Sequence, residues 1–309
     1  MSATASAPAS QAQTASGVAY ALGAFGLWGV FPLYFHALAS VPAVEVLAHR
    51  VVWSVLCVAL ALSAWRQWPA VRQALRERRT LLALFGSSLL IAANWLVFIW
   101  AVAQGRVLEA SLGYYITPLV SVLFGRLFLH ERLYRVQWLA VAFAAIGVGY
   151  MLLSLGALPW VSLALAASFS AYGLVRKVIS VGAIPGLFLE TLLLAPLALA
   201  YLGWLLVAGQ SSMGGSTVTL DLLLLAAGVV TATPLLFYTQ AVRRLRLASV
   251  GLFQYITPTA QMLLAVFVFQ ELFTVTHGVT FACIWLALAL YSASAWQGRG
   301  SSGPSVRDT

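Results

Sequence analysis

One apolar stretch near the start of the chain holds three ionisable side chains and a tryptophan. Glu45, His49 and Trp53 follow one another at intervals of four, so in a helix they share a face, and Arg50 lies beside them. Ionisable groups among apolar residues are costly and occur where a partner or a wet cavity compensates the cost. The cluster is a candidate for binding a proton or a polar solute. The alternative is an internal Glu–Arg–His network that only fixes helix packing.

A second isolated acid, Glu190, lies in a later apolar stretch, at the position that corresponds to Glu45 when the two halves of the chain are aligned. Two acids at mirrored depths would suit two gates that open in turn. The alternative is a helix-end carboxylate paired with Arg176 or Lys177. Tyr172, close before these basic residues, is a further candidate for contact with a solute.

Two prolines, Pro118 and Pro258, lie near the middle of matching apolar stretches. Each removes a backbone hydrogen bond and frees a carbonyl group. Matched interruptions in two halves are a pointer to a binding site. Four polar side chains lie beside the prolines and could stack on, and hydrogen-bond, an aromatic or amphipathic solute: Tyr114, Tyr115, Gln254 and Tyr255. The alternative is a structural kink packed by tyrosines, and Pro234 makes a weaker case of the same kind.

Two further sets of polar residues have structural alternatives. Asn94 and Trp95 lie in mid-stretch, where the amide suits either an interhelical hydrogen bond worth about 1 kcal/mol or a solute contact. Glu131 and Glu271 stand at the ends of apolar stretches. We interpret both acids as structural, capping the next helix or pairing with a loop arginine.

The composition is that of a membrane protein. Hydrophobic residues make up 62% of the 309 residues and charged residues 8%, whereas a soluble domain carries roughly 25% charged residues. The net charge of +9 is placed in short loops between apolar stretches, which argues against nucleic-acid binding. Cys57 and Cys283 each lie inside an apolar stretch and are interpreted as buried small hydrophobes.

Hydropathy predicts an all-α fold with about ten membrane-spanning helices. The spans are placed near 17–38, 44–65, 81–103, 110–129, 136–155, 159–175, 185–208, 220–241, 248–269 and 277–296. With the N-terminus inside, fifteen Arg and Lys residues fall on the cytoplasmic side and only Arg106 on the outer side, so both termini are predicted to be cytoplasmic. The loop 66–79 is either an interfacial amphipathic helix against anionic headgroups or an ordinary basic loop.

An internal repeat divides the chain. The sequence YITP at 115–118 recurs at 255–258, and a glutamate follows each proline by thirteen residues. Five spans per half force the second copy to enter the membrane the other way up, which is an inverted repeat. The predicted organisation is a cytoplasmic tail at 1–16, a first five-helix repeat at 17–155, a second at 156–297 and a second tail at 298–309.

This architecture predicts a secondary transporter that moves a small-molecule substrate across the bilayer by alternating access, with proton coupling as one option. The sequence contains no nucleotide-binding loop, paired metal-ligand motif or catalytic triad spacing, so no cofactor, metal or catalytic residue is predicted. An uncoupled facilitator or importer is one alternative, and a membrane enzyme or scaffold is another. Gly- and Ala-rich faces on the fifth and tenth spans permit close contacts within one subunit or in a homodimer.

Several motifs together resemble the RarD-type permeases, the chloramphenicol-sensitivity proteins of the EamA branch of the drug/metabolite transporter superfamily. They are EVLAHR at 45–50, NWLVFIWAV at 94–102, SLGYYITPL at 111–119, ERL at 131–133, YGLVRK at 172–177, QYITPT at 254–259 and FACIW at 281–285. The resemblance covers about residues 17–297, and Thr117 departs from it where Asn is expected. It implies ten helices in two inverted repeats around a central cavity, a link to chloramphenicol sensitivity, and a bacterial inner-membrane location.

Overall fold

Helices make up nearly all of the computed structural model, which describes residues 11–128, 130, 135–155, 158–215, 217–244 and 253–300. No strand occurs in these ranges, so the predicted all-helical fold class is confirmed. Within them the helices are α1 Gln11–Gly29, α2 Phe31–Ala37, α3 Ala43–Ala64, α4 Trp68–Arg76, α5 Arg78–Ala103, α6 Val107–Phe128, α7 Arg135–Leu155, α8 Trp160–Val178, α9 Ala183–Val207, α10 Val218–Arg244, α11 Ile256–Leu263 and α12 Val275–Gly300.

A helix overlies each of the ten predicted spans. The first span is α1 and α2 with a break at Val30, and the ninth is α11 continued by a π-helical turn at Leu264–Val268. Six stretches are long and apolar enough to cross a membrane: Ala15–Ala37, Ala43–Ala64, Arg78–Ala103, Val107–Phe128, Ala183–Val207 and Val218–Tyr238. Three shorter apolar helices cover Trp138–Ser154, Ile256–Val268 and Val275–Leu290. The chain is therefore a multi-pass membrane protein.

The helices pack in a pattern that relates the two halves. Helix α3 packs along α9, α7 along α12 and α6 against α11, which are pairs of like position in the predicted repeats. Helix α1 packs against α10, and the corresponding pair α8 and α5 also packs together. An inverted repeat predicts this exchange of partners. The boundaries between the halves and the tails remain predictions.

Small residues bring α7 and α12 together. A Cβ atom at Gly147 would lie 2.9 Å from Cβ of Cys283 and 3.2 Å from the carbonyl oxygen of Thr280. The Thr280 hydroxyl donates a hydrogen bond of 3.2 Å to the Gly147 carbonyl. The Gly- and Ala-rich faces of the fifth and tenth spans are thus used inside one chain, since small residues let backbones approach. Homodimerisation stays a prediction, and it would use other surfaces.

The prolines differ in their positions. Pro118 and Pro234 lie inside α6 and α10, as predicted. Pro258 instead lies in the first turn of α11, where a missing N–H removes no helical hydrogen bond, which corrects the predicted mid-helix kink. Its carbonyl accepts a 2.7 Å hydrogen bond from the Ser111 hydroxyl of α6. Pro196 inside α9 was not predicted as a feature.

The basic loop 66–79 contains helix α4, as the amphipathic alternative predicted. Its buried residues, Val71 and Ala74, face the protein, and the ring of Trp68 packs edge-on against Phe188 of α9 with centroids 5.2 Å apart. Leu75, which follows Val71 at helical spacing, is exposed. The apolar face of α4 therefore covers the end of α9, and its arginines remain on the outside.

Candidate functional site

Arg50 of α3 is enclosed by side chains from three other helices. The residue is 5% exposed, and its Nε–H donates a 2.9 Å hydrogen bond to Oγ1 of Thr231 in α10. Its guanidinium lies 4.0 Å from the ring centroid of Trp95 in α5. The rings of Phe31 and Phe35 in α2 are at 5.8 and 5.5 Å. We refer to these five residues as the Arg50 site.

The positive charge of Arg50 has no carboxylate partner in the described part of the chain. The ion pairs found there are Arg106–Glu109 and Arg176–Glu190. A buried guanidinium is costly, and a desolvated cation over an aromatic ring recovers about 2 kcal/mol. The predicted network of Glu45, His49 and Arg50 is therefore not formed. Neighbouring residues on a helix point about 100° apart, which turns Arg50 away from the shared face of the other two.

Glu45 makes its contacts at one end of α3. It is fully buried, and its two carboxylate oxygens accept hydrogen bonds of 2.8 Å from the backbone N–H and the hydroxyl of Ser212. Ser212 lies in the connection between α9 and α10. Glu45 also stands in the first turn of α3, where the helix dipole favours negative charge. We call this pair the Glu45 contact.

His49 and Trp53 interact on the predicted shared face of α3. The indole N–H of Trp53 donates a 3.3 Å hydrogen bond to Nδ1 of His49. Nδ1 then acts as an acceptor, which assigns the proton of a neutral ring to Nε2. Nε2 is buried without a hydrogen-bond partner in the described structure. His49 therefore holds an unused donor one residue before Arg50.

Glu190 lies in a larger cluster near the start of α9. Its carboxylate accepts hydrogen bonds from the Ser87 hydroxyl of α5 at 2.6 Å and the Tyr172 hydroxyl of α8 at 3.2 Å. Nη1 of Arg176 lies 3.7 Å from the same group, so the predicted pairing with Arg176 is present. Arg176 also donates to the carbonyl oxygens of residues 181 and 182. We call this set the Glu190 cluster.

Asn94 acts in helix packing. Its amide nitrogen donates 3.0 Å hydrogen bonds to the Leu165 carbonyl and to the Ser168 hydroxyl of α8. The amide oxygen lies 3.5 Å from the Tyr114 hydroxyl. These contacts join α5 to α8 and α6, so the packing alternative describes Asn94, whereas the neighbouring Trp95 belongs to the Arg50 site.

The tyrosines beside the prolines separate into two environments. Tyr114 faces Asn94, while the Tyr115 hydroxyl lies 2.5 Å from Oγ1 of Thr259. A cavity of about 420 Å³ lies between α6, α11 and α12 and is lined by Tyr115, Tyr255, Thr259, Met262, Trp285, Leu288 and Ala289. Gln254 is half-buried in the turn before α11 and is not part of this lining. Tyr115 and Tyr255 are thus brought together, apart from Tyr114.

Glu131 and Glu271, the two acids at the ends of apolar stretches, were both predicted to have structural roles. Glu271 accepts hydrogen bonds of 2.7 and 2.8 Å from the N–H groups of Val107 and Leu108, so it caps α6. Burial raises the pKa of Glu271 above its ordinary value, and the two N–H groups oppose this effect. Glu131 lies outside the described residues. The described His, Cys, Asp and Glu side chains form no group that could hold a metal ion.

Three partners in these sites were not predicted. They are Ser87, Ser212 and Thr231. Hydroxyl residues are common in apolar helices and loops, so their types carry no signal of a partner.

Helices long enough to cross a membrane, with ionisable groups buried among them, define a multi-pass membrane protein. A profile described as the EamA-like transporter family matches residues 15–153. An uncharacterized transporter of Vibrio cholerae is 49% identical over 91% of this chain and 93% of its own length. Protein RarD of Escherichia coli is 47% identical over 92% and 96%. The chain therefore belongs to the RarD-type permeases of the EamA-like transporter family.

Two further comparisons extend this result. The chloramphenicol-sensitive protein RarD of Pseudomonas aeruginosa is 38% identical over 89% of this chain and 92% of its own length. A solved structure, titled only as the crystal structure of a protein, superposes with a TM-score of 0.59 at 20% identity and covers 94% of this chain and all of its own. At that identity the structure supports the fold alone. Together the relatives make this protein a membrane transporter rather than an enzyme.

Proposed function

We propose that this protein is a secondary transporter that exports small amphipathic metabolites or drugs by alternating access. The carrying observation is that the two fully buried acids, Glu45 and Glu190, close opposite ends of the α3–α9 pair. Glu190 and the end of α9 at Val207 are separated by about 26 Å at 1.5 Å per residue, and Ser212 lies beyond that end. Each contact joins parts of both halves of the chain.

Alternating access requires contacts that break at one end while those at the other end hold. The Glu45 contact binds α3 of the first half to the loop after α9 in the second. The Glu190 cluster binds α9 to α5 of the first half. A solute at the Arg50 site would lie between them, because Arg50 is more than one turn farther along α3 than Glu45. The proposal assigns these contacts to the two gates.

The proposed placement has the Glu45 contact at the outer side of a bacterial inner membrane and both termini in the cytoplasm. The support is the distribution of Arg and Lys, of which fifteen fall on one side. Reporter fusions that are active only in the periplasm test this placement. We expect a fusion after Thr309 to be inactive and one inserted at Gly214, in the connection after α9, to be active. The reverse result would mean that both termini lie in the periplasm and that the Glu45 contact lies on the cytoplasmic side.

Proton coupling is the finer part of the proposal, with Glu45 or His49 as the group that binds the proton. The test uses purified protein in proteoliposomes with a trapped pH dye, and adds chloramphenicol and a panel of aromatic amino acids and metabolites. We expect a solute-dependent pH change that Glu45→Gln abolishes. Glu77→Gln is the matched control, because Glu77 is an exposed acid outside the buried sites.

An uncoupled facilitator is the second candidate, and one observation favours it. Both oxygens of Glu45 already accept a hydrogen bond from Ser212, as a carboxylate with a structural role would. Movement of labelled solute without proton movement, unchanged in Glu45→Gln, would establish this candidate. If no solute moves in the wild type, transport is rejected for that panel and a scaffold role gains support.

A further inference from the structure

Arg50 is the least compensated charge in the described structure. Its described contacts are three aromatic rings and one hydroxyl, and the hydroxyl groups of Tyr34 and Tyr114 are near enough to interact with its charge. No described carboxylate lies within ion-pair distance. Arg106 and Arg176, by contrast, each pair with a glutamate. A buried cation without a counter-ion is usually compensated by something that the protein binds.

The guanidinium has hydrogen-bond donors to spare. Five N–H groups belong to an arginine, and the described contacts use only the one on Nε, which bonds Thr231. The terminal nitrogens are in no described hydrogen bond, and they are not among the fully buried polar atoms that lack a partner. The Thr231 hydroxyl is itself committed to the Ala227 carbonyl. The free donors therefore point to an acceptor supplied from outside the chain.

The aromatic residues around Arg50 indicate what kind of group would accompany the hydrogen-bond acceptor in a ligand. The ring of Trp95 stacks on the guanidinium, and Phe31 and Phe35 line other sides. Such walls favour an apolar or aromatic body, and a carboxylate matches the two parallel N–H groups of a guanidinium. No described acid lies beside Arg50 to receive an ammonium group. Glu45, the nearest acid along α3, is bonded to Ser212.

From this arrangement we infer that the Arg50 site binds the carboxylate of a small aromatic or aliphatic organic anion. The inference rests on the proposed transport function and narrows its substrate class to monocarboxylates that carry no ammonium group. Arg50 contacts the carboxylate, and Trp95 positions the guanidinium. Neutral amphipathic solutes would bind more weakly, because they leave the charge of Arg50 uncompensated.

The test is binding to the purified full-length protein in lipid nanodiscs, measured by titration calorimetry. Three probes share one body and differ in charge: 3-phenylpropionate is an anion, 3-phenylpropanamide is neutral, and phenylalanine is a zwitterion. We expect the anion to bind more tightly than the other two. Arg50→Gln should weaken anion binding by about 10- to 100-fold while it leaves the amide within about twofold.

Two further variants keep the test decisive. Arg50→Lys retains the charge but loses the paired N–H groups, so we expect an intermediate affinity for the anion. Arg72→Gln removes an exposed arginine of α4 and should change nothing. Equal binding of all three probes, or an unchanged anion affinity in Arg50→Gln, would overturn the inference.

Failure of the inference and failure of transport have different signatures. Anion binding that depends on Arg50, without flux of any probe in proteoliposomes, would reject transport and keep the anion site. Flux of the amide and of chloramphenicol that Arg50→Gln leaves intact, without anion preference, would keep transport and reject the anion site. Flux should be followed with a sulfonate analogue of the anion, since carboxylic acids cross bilayers in their neutral form.

Discussion

The two ends of the α3–α9 pair are held by the same kind of contact in different strengths. At one end, both oxygens of Glu45 bond a single residue, Ser212, in the loop after α9. At the other, Glu190 bonds side chains of α5 and α8 and lies beside a cation. One loop residue must move to free Glu45, whereas two helices must separate to free Glu190.

The cation makes the second difference. Arg176 lies 3.7 Å from Glu190 and also donates to the carbonyls of Val181 and Gly182, so it ties the connection between α8 and α9 to the cluster. No described cation accompanies Glu45. The comparison teaches that the Glu190 end depends on charge and helix packing, while the Glu45 end depends on two hydrogen bonds from a loop. We expect the Glu45 end to open more readily.

The largest predicted effect separates the two acids directly. Glu190→Ala leaves the half-buried Arg176 without its counter-ion, and loss of one partner of a buried pair costs about 3 kcal/mol of unfolding free energy. Glu45→Ala leaves only two unpaired donors on Ser212 and should cost about 1–3 kcal/mol. The measurement is unfolding in mixed detergent micelles. The double variant Arg176→Gln with Glu190→Gln should regain part of the loss, and an equal cost of the two alanine variants would remove the distinction.

The serines sharpen the comparison, since each donates to one of the acids. Ser87→Ala and Ser212→Ala each remove a hydrogen bond to a carboxylate and should cost about 1.5 kcal/mol or slightly more. Their local effects should differ. We expect amide hydrogen exchange to speed up in residues 208–215 for Ser212→Ala and in residues 179–186 for Ser87→Ala. If both variants loosen the same end, the two contacts are not independent closures.

Gly186 offers a smaller change that affects the Glu190 cluster alone. A Cβ atom there would overlap the guanidinium of Arg176, which is the end of a flexible side chain and can move away. We expect Gly186→Ala to displace Arg176 and to cost about 1 kcal/mol of unfolding free energy. Gly173→Ala in α8 is the matched control, because nothing lies within 4 Å of its new Cβ atom. A helical Gly→Ala change without a clash should be neutral or stabilising by up to about 1 kcal/mol. Equal behaviour of the two variants would mean that Arg176 does not need its present position.

The positions of the helices could be predicted from the sequence because a span has a required length of apolar residues. Each of the ten predicted stretches carries a helix in the structure. The break at Val30 was not predicted, although Gly29 and Pro32 flank it and both residue types interrupt helices. The π-helical turn at Leu264–Val268 was not predicted because its apolar residues do not distinguish it from an α-helix. Pro258 was assigned to mid-helix for the same reason, since the start of α11 at Ile256 cannot be read from hydropathy.

For the site, residue types were more informative than pairings. Glu45, Arg50 and Glu190 stand out in the sequence because charges inside apolar stretches are rare and costly. Their partners are ordinary hydroxyl residues, Ser212, Thr231 and Ser87, which only tertiary packing brings near. The spacing along α3 suggested that Arg50 and Glu45 form one network. The Arg50 side chain leaves α3 in a different direction, however, and contacts Thr231 of α10 and Trp95 of α5 instead.

The smallest predicted effect concerns Glu271, which lies at the same end of the molecule as the Glu45 contact. Helices α3 and α6 are separated by one membrane crossing, α5, so they run in the same direction and both begin at this end. Glu271 caps the start of α6. Burial raises the pKa of Glu271 above its ordinary value of 4.5. At a pH between 4.5 and the raised pKa, this carboxyl group is therefore protonated in the folded protein and ionised in the unfolded chain. This contribution to stability is complete below pH 4.5 and declines as the pH rises through the raised pKa.

We therefore expect the unfolding free energy of the wild type, relative to that of Glu271→Gln, to fall as the pH rises through the raised pKa. Unfolding in detergent micelles from about pH 4.5 to about pH 7 measures it, with other titrating groups cancelling in the difference. A difference that rises with pH would mean that the N–H groups of Val107 and Leu108 outweigh burial. The start of α6 would then be held by a carboxylate that keeps its charge, and the closure of this end would be closer in strength to that of the Glu190 cluster.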